Sequence, residues 1–449
     1  MAYRLYLAPD YDRDHVLMEL LTTRHKLAVT CGFPSYSHKV LKGGILSTPE
    51  LVIEFLDKLS NSIKHRAEEE FALLNKMKQH EISNSEPLAM WDILYYTQQF
   101  KRNNFKVTTE EYAPYFSLGC CIEGLSNLFN SLYGITLKND LIQFGEIWTE
   151  DTYKLAVKHE SEGLLGYIYC DFFRREDKIS QDCHISIRGG KILQDGSYQL
   201  PIAAVILNFP KPTGCQPLLL APLMVENLFH EMGHAMHSML ARTRYQHVSG
   251  TRCSTDIAEM PSVLMEYFAN DPRVLKSFAR HFQTNEVISD EMIQRLCASK
   301  NTFVASETQQ QIFYSALDQI FHGVHPLKGT MTDVIASVQD QYYNVPYVPN
   351  TSWQLRFNHL FGYGAKYYSY LVCKALSASI WQLYFEKDPF SRIEGDRLRR
   401  ECLAHGGGKP SSKIIADYIH HDPNPDVLCK FITNEIDNKH ELWNLNNYN

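Results

Sequence analysis

The stretch Met224-Val-Glu-Asn-Leu-Phe-His-Glu-Met-Gly-His-Ala-Met-His-Ser-Met-Leu240 decides how the rest of the chain is read. Leu228, Met232, Ala235 and Met239 recur at helical spacing, and Glu226, His230, His234 and His237 line a polar stripe nearly opposite them. Positions four apart share one face of a helix, so His230 and His234 can reach a single ion. The His-Glu-x-x-His spacing is a zinc-binding pattern. Glu231, about a third of a revolution from His230, is placed to handle a water at that ion. Two histidines on a solvated helix face would look the same in isolation. The weight therefore falls on a third ligand.

Catalytic zinc usually takes three protein ligands and leaves one position to water. The extended pattern with a third histidine needs glycine at 237 and histidine at 240, where this chain has His237 and Leu240. A downstream carboxylate remains, and Asp256-Ile-Ala-Glu-Met-Pro-Ser-Val-Leu-Met-Glu266 supplies candidates. Glu259 and Glu266 are two turns apart on one predicted helix face, with Ser254 or Thr255 available as its cap. Pro261 kinks that helix if it falls beyond the first turn.

The histidine motif, then Gly250-Thr251, then Thr255-Asp-Ile-Ala-Glu-Met-Pro-Ser262 together resemble the thimet-oligopeptidase family of zinc peptidases. The likeness runs through essentially the whole chain. It implies one zinc ion per chain, with Glu259 as the third ligand beside His230 and His234 and with Glu231 as the catalytic base. His159-Glu-Ser-Glu-Gly-Leu-Leu-Gly-Tyr-Ile-Tyr-Cys-Asp-Phe-Phe173 and Tyr245-Gln-His-Val-Ser-Gly-Thr-Arg-Cys253 are most similar to a branch of that family in the mitochondrial matrix. The implied fold is mainly α with a small β-sheet, a zincin-type bilobed helical peptidase enclosing a deep substrate channel. The N-terminal part of the family fold is expected to be missing. The implied activity is removal of an N-terminal octapeptide from imported precursor proteins. A general oligopeptidase and a truncated, non-enzymatic peptide-binding form are the alternatives.

The same resemblance extends to His359-Leu-Phe-Gly-Tyr-Gly-Ala-Lys-Tyr-Tyr-Ser-Tyr370, a glycine-bearing loop that runs into a helix predicted to begin near Ala365. It implies that His359, Tyr363, Tyr367 and Tyr370 bind substrate and meet the developing oxyanion, for which a phenol is a suitable donor. Tyr367 and Tyr370, three apart, are expected to point the same way. Tyr368 reads as core. His237 reads as a packed or hydrogen-bonded histidine rather than a ligand, and Asp256 and Glu266 as carboxylates that orient the ligand imidazoles.

With 44% hydrophobic and 12% aromatic residues in 449, the chain can bury a large core. A net charge of -7 argues against nucleic acid as a partner; the expected partners are peptides or precursor N-terminal segments, bound by a monomer. Eleven scattered cysteines, odd in number and without a CxxC pair, argue against a secreted disulfide framework and suggest free thiols. The longest apolar run, near residues 202–207, is the size of a strand and not of a membrane span. The first residues contain Asp10, Asp12 and Asp14, unlike an Arg-rich, acid-poor mitochondrial presequence. The matrix location thus rests on resemblance; a genuine start here implies the cytoplasm.

No linker divides the chain, which is expected to be one catalytic domain. Residues 1–150 read as helical, 160–210 as a small sheet and 218–449 as the helical part that carries the zinc site. Ser47-Thr-Pro-Glu50 is a helix start, residues 84–87 are a break before Trp91-Asp-Ile-Leu-Tyr-Tyr96, and a helix over 118–132 ends near Gly134. Residues 163–173, 184–188 and 198–209 read as three strands; one at an edge would hold an extended peptide.

Overall fold

In the computed structural model, which describes residues 1–82, 86–212, 214 and 216–447 (the last seven as backbone), the helix start at Thr48 holds. The Thr48 hydroxyl accepts from the Leu51 amide at 3.4 Å, and the helix runs from Pro49 to Glu81. Phe55, Leu59, Ile63, Ala67, Phe71 and Leu74 recur every three or four residues along it and are buried. That face packs on the helices Val304–Phe321 and Pro425–Asn447. Residues 84 and 85 of the expected break lie outside the described residues. The chain divides into two units, each of several segments: Met1–Lys106, Ala298–Ala375 and Pro423–Asn449 form the first, Val107–Cys297 and Leu376–Asp422 the second.

The second unit contains the sheet. The helix Leu118–Tyr133 stops at Gly134, whose φ of 66° suits the left-handed cap that a glycine tolerates. Seven strands follow: β1 Ile135–Asn139, β2 Tyr153–His159, β3 Gly163–Phe173, β4 Cys183–Arg188, β5 Lys191–Ile192, β6 Tyr198–Gln199 and β7 Ile202–Phe209. Five form one sheet in the order β1-β2-β3-β7-β4, with β3 and β7 parallel and the other neighbours antiparallel; β5 and β6 make a separate ribbon. The central pair is buried almost throughout, as parallel strands covered on both faces are. Strand β4 is an edge.

Three expectations need correction. The sheet begins at Ile135, inside the region read as helical, because β1, Ile-Thr-Leu-Lys-Asn, carries only two apolar residues, Ile135 and Leu137, too few to show a period. The stretch 198–209 is two strands in two sheets, not one. The helix expected from Ala365 begins at Ser369, because Ala365 sits at φ 65° in the left-handed region and cannot start a helix. Every described cysteine is free, and no helix among the described residues is long and apolar enough to cross a membrane.

Candidate metal centre

The histidine helix spans Pro222–Leu240, with Pro222 in its first turn and Leu228, Met232, Ala235 and Met239 fully buried toward β3, β4 and β7. The carboxylate segment is two helices, Thr255–Ala258 and Met260–Asn270, meeting at Glu259. Pro261 therefore lies in the first turn of the second helix, where its missing N–H costs nothing, and the kink falls at Glu259 itself. Gly233 makes the approach possible: a Cβ there would lie 2.7 Å from the Ser262 Cα and 2.8 Å from the Pro261 carbonyl. Asn270 Nδ2 ties the two helices by donating to Glu226 Oε1 at 2.9 Å and to the Glu266 carbonyl at 2.9 Å.

This packing brings His230, His234 and Glu259 together, with their ligand atoms within 4.8 Å of one another. Glu259 Oε2 lies 3.5 Å from His230 Nε2 and 3.0 Å from His234 Nε2. Two donors each about 2.0–2.1 Å from one tetrahedral ion would lie about 3.4 Å apart. The three residues therefore fit a single metal ion in spacing as well as in chemical type.

The surroundings fix how each group presents itself. His230 Nδ1 pairs with Glu266 Oε1 at 2.6 Å, so Nδ1 donates and Nε2 is turned toward the ion site. Burial by itself would lower the His230 imidazole, but hydrogen bonds with Glu259 and Glu266 outweigh it and hold the group up at about 10. Burial likewise pushes the Glu259 carboxyl up, and its two imidazole partners outweigh that and hold it well below the usual range. A place that holds a proton so firmly is electrostatically suited to a cation. The Ser262 hydroxyl donates to the Glu259 carbonyl at 2.7 Å and reaches its Oε2 at 3.2 Å, steadying the carboxylate.

Glu231 is 6% exposed, and its Oε2 has no protein partner. Burial raises its carboxyl. A buried carboxylate oxygen beside these three donors is thus left unsatisfied by the protein itself. His237, on the same stripe, is not in the ligand set; burial depresses it to about 3. Asp256 is buried and accepts from the Ser254 hydroxyl at 2.7 Å. Sequence reasoning missed the supporting roles of Ser262 and Gly233, although both lie inside the quoted motifs. It also missed His184 on β4, whose Nε2 is 3.0 Å from Ser238 Oγ and whose ring lies 6.0 Å from that of His234.

The remaining predicted residues, His359, Tyr363, Tyr367 and Tyr370, belong to the first unit and gather there among themselves. The His359 ring lies 4.8 Å from Tyr367 and 5.9 Å from both Tyr363 and Tyr370, and Tyr367 and Tyr370 are 5.2 Å apart. The Tyr363 hydroxyl is 3.1 Å from Ser369 Oγ, and the Tyr367 hydroxyl donates to Gln311 Oε1 at 2.9 Å. Tyr368 is in the core.

Residues 3–433 match the model of peptidase family M3. The chain is 51% identical over 435 residues to the mitochondrial intermediate peptidase of Mus musculus, covering 97% of this chain and 61% of that protein. It is 49% identical over 436 residues to the Homo sapiens protein of the same name, with the same coverages, and 40% identical over 404 residues to the Arabidopsis thaliana one, covering 90% and 57%. The chain thus spans about three-fifths of the length of these curated relatives. A Bacillus anthracis protein assigned as an oligoendopeptidase F has a crystal structure that covers 95% of this chain and 63% of its own. The TM-score is 0.50 at 14% identity, a likeness of fold alone.

Proposed function

The chain belongs to peptidase family M3, and from that premise we propose that it is a zinc metalloendopeptidase whose ion is held by His230, His234 and Glu259. The observation that carries this reading is the convergence of those three donors beside Glu231, whose buried Oε2 has no protein partner. Zinc bound there would supply a Lewis acid that polarises the scissile carbonyl and brings the pKa of a water toward ~7. Glu231 takes the proton of the attacking water and delivers it to the leaving amine, a double role that suits a carboxyl raised by burial. Glu266 keeps His230 in the tautomer that offers Nε2. The outer edge of β4, the last strand in the order among the described residues, holds an extended peptide by adding it as a further strand. Family resemblance supports Tyr367 as a donor to the developing oxyanion, with His359, Tyr363 and Tyr370 binding substrate.

Identity to the mitochondrial intermediate peptidases supports the substrate class: once-trimmed precursors that lose an N-terminal octapeptide in the mitochondrial matrix. The purified chain, incubated with such a precursor and with unrelated short peptides, tests this by mass spectrometry of the products. A single cut eight residues from the precursor's N-terminus, lost on chelation and restored by zinc, is expected. Scattered cuts in all peptides would mean a general oligopeptidase. Zinc binding without any cut would mean a peptide-binding protein.

A further inference from the structure

The edge strand β4 is fastened to the histidine helix at two points, both inside the second unit. Asp182, the residue before β4, accepts from Asn227 Nδ2 at 2.6 Å through Oδ2 and from Asn208 Nδ2 at 2.8 Å through Oδ1. One carboxylate thus joins the helix to β7 at the head of β4. Two residues on, His184 Nε2 lies 3.0 Å from Ser238 Oγ, and its ring packs 6.0 Å from that of His234. Side chains two apart leave a strand on one face, and the alternate positions Ile185 and Ile187 are exposed.

On the helix, Asn227, Glu231, His234 and Ser238 are spaced four, three and four apart and so share one face. Asn227 lies one turn before Glu231, and Ser238 one turn after His234. The two fastenings therefore bracket the residues that act at the ion site. A peptide added to the outer edge of β4 takes its register from the strand through backbone hydrogen bonds, with successive residues about 3.3 Å apart. Which of its bonds falls at the ion site then depends on where β4 stands along the helix.

We propose that Asp182 and His184 are positioning residues that hold β4 at one place along the histidine helix and so set which peptide bond is cut. This rests on the reading of β4 as the peptide-binding edge and of His230, His234 and Glu259 as the ion's ligands. Neither Asp182 nor His184 is in the ligand set, and neither needs to touch substrate. With a fastening loosened, a peptide still adds to the strand, but the strand shifts relative to the ion site. A displacement of about 1 Å from the reactive geometry can cost about a hundredfold in rate. Binding is left nearly alone, and bonds beside the normal one come within reach.

The test uses the zinc-loaded protein and one peptide that the parent cuts at a single bond, with products mapped by mass spectrometry. Asp182→Asn puts an NH2 opposite one of its two amide donors. It is expected to lower kcat about tenfold, to move KM less than about threefold and to raise cuts at neighbouring bonds at least about fivefold, with zinc affinity within about twofold of the parent. Adding Asn227→Asp exchanges donor and acceptor: the new amide donates to the new carboxylate and keeps its oxygen for Asn208. The exchange also restores the charge lost in the single change, so the double variant should recover most of the turnover and the single cut. Asn227→Asp alone, which sets two carboxylates against each other, should not. A folded Asp182→Asn that keeps turnover and cut position, or a loss that the exchange does not recover, overturns the proposal. Should Asp182→Asn not fold, Ser238→Ala decides: it should spread the cuts, and a single cut at parental turnover overturns the proposal. The reading beneath is tested apart, with peptides N-methylated at one backbone nitrogen at a time as inhibitors of the parent. A peptide on a strand edge donates only every second amide to it, so inhibition should weaken at alternate positions. Equal inhibition by the whole series overturns β4 as the peptide-binding edge, and a parent that cuts no peptide overturns the peptidase reading itself.

Discussion

In the second unit, His230 and His234 reach one point because a regular helix sets positions four apart on one face. In the first unit, Tyr367 and Tyr370 meet through backbone that has left the helix, with Ala365 at φ 65° and two loop amides held by Asp318. The carboxylates differ in the same way. Glu259 is held down by two imidazoles facing it, whereas Glu70, which accepts from the Ala305 and Ser306 amides at the head of the helix carrying Asp318, is pushed up to about 7 by burial. One region gets its geometry from local spacing and paired charge. The other gets it from buried groups contributed by segments far apart in sequence. Substitutions should therefore change chemistry in the first and conformation in the second.

The sharpest division is expected at Glu231. Glu231→Gln should lower turnover by about a thousandfold or more with metal content and melting temperature unchanged, because the amide cannot take a proton. Preserved turnover would remove Glu231 from the mechanism.

Glu70 should show the opposite pattern, in stability and not in chemistry. Its folded value of about 7 lies above the ordinary 4.5, so its contribution is fully present below about pH 4.5 and is lost as pH rises through about 7. That loss amounts to about 3 kcal/mol. Denaturant unfolding from pH 5 to 8 should show the decline in the parent and a flatter profile in Glu70→Gln. Equal slopes would show that Glu70 titrates normally.

A smaller effect is expected at Glu266, whose carboxylate pairs with His230 Nδ1. Glu266→Gln should weaken zinc binding by about ten- to a hundredfold while one ion per chain still binds at saturation. Unchanged affinity would mean that His230 needs no partner at Nδ1.

How much was legible in the sequence follows the same division. The histidine helix, the Thr48 cap and the Gly134 stop were readable because each is settled within a turn or two of chain. Spacing alone left Glu259 and Glu266 as rival ligands. The structure separates them, since the break at Glu259 turns one carboxylate toward His230 Nε2 and the other toward Nδ1. The early strands were missed because β1 carries only two apolar residues and β2 only three consecutive ones between lysines. The late start of the helix after Tyr367 was missed because its cause, Asp318, lies nearly fifty residues upstream. No local pattern in the sequence could reveal that contact.

The central claim is that His230, His234 and Glu259 hold one ion and that the ion needs all three. Equilibrium dialysis of the metal-stripped protein and of Glu259→Ala against zinc tests it most directly. The parent should take up about one ion per chain, and the variant should bind at least about a hundredfold more weakly while keeping its fold by circular dichroism. Zinc bound by Glu259→Ala as tightly as by the parent would contradict the assignment and shift the third ligand to Glu266.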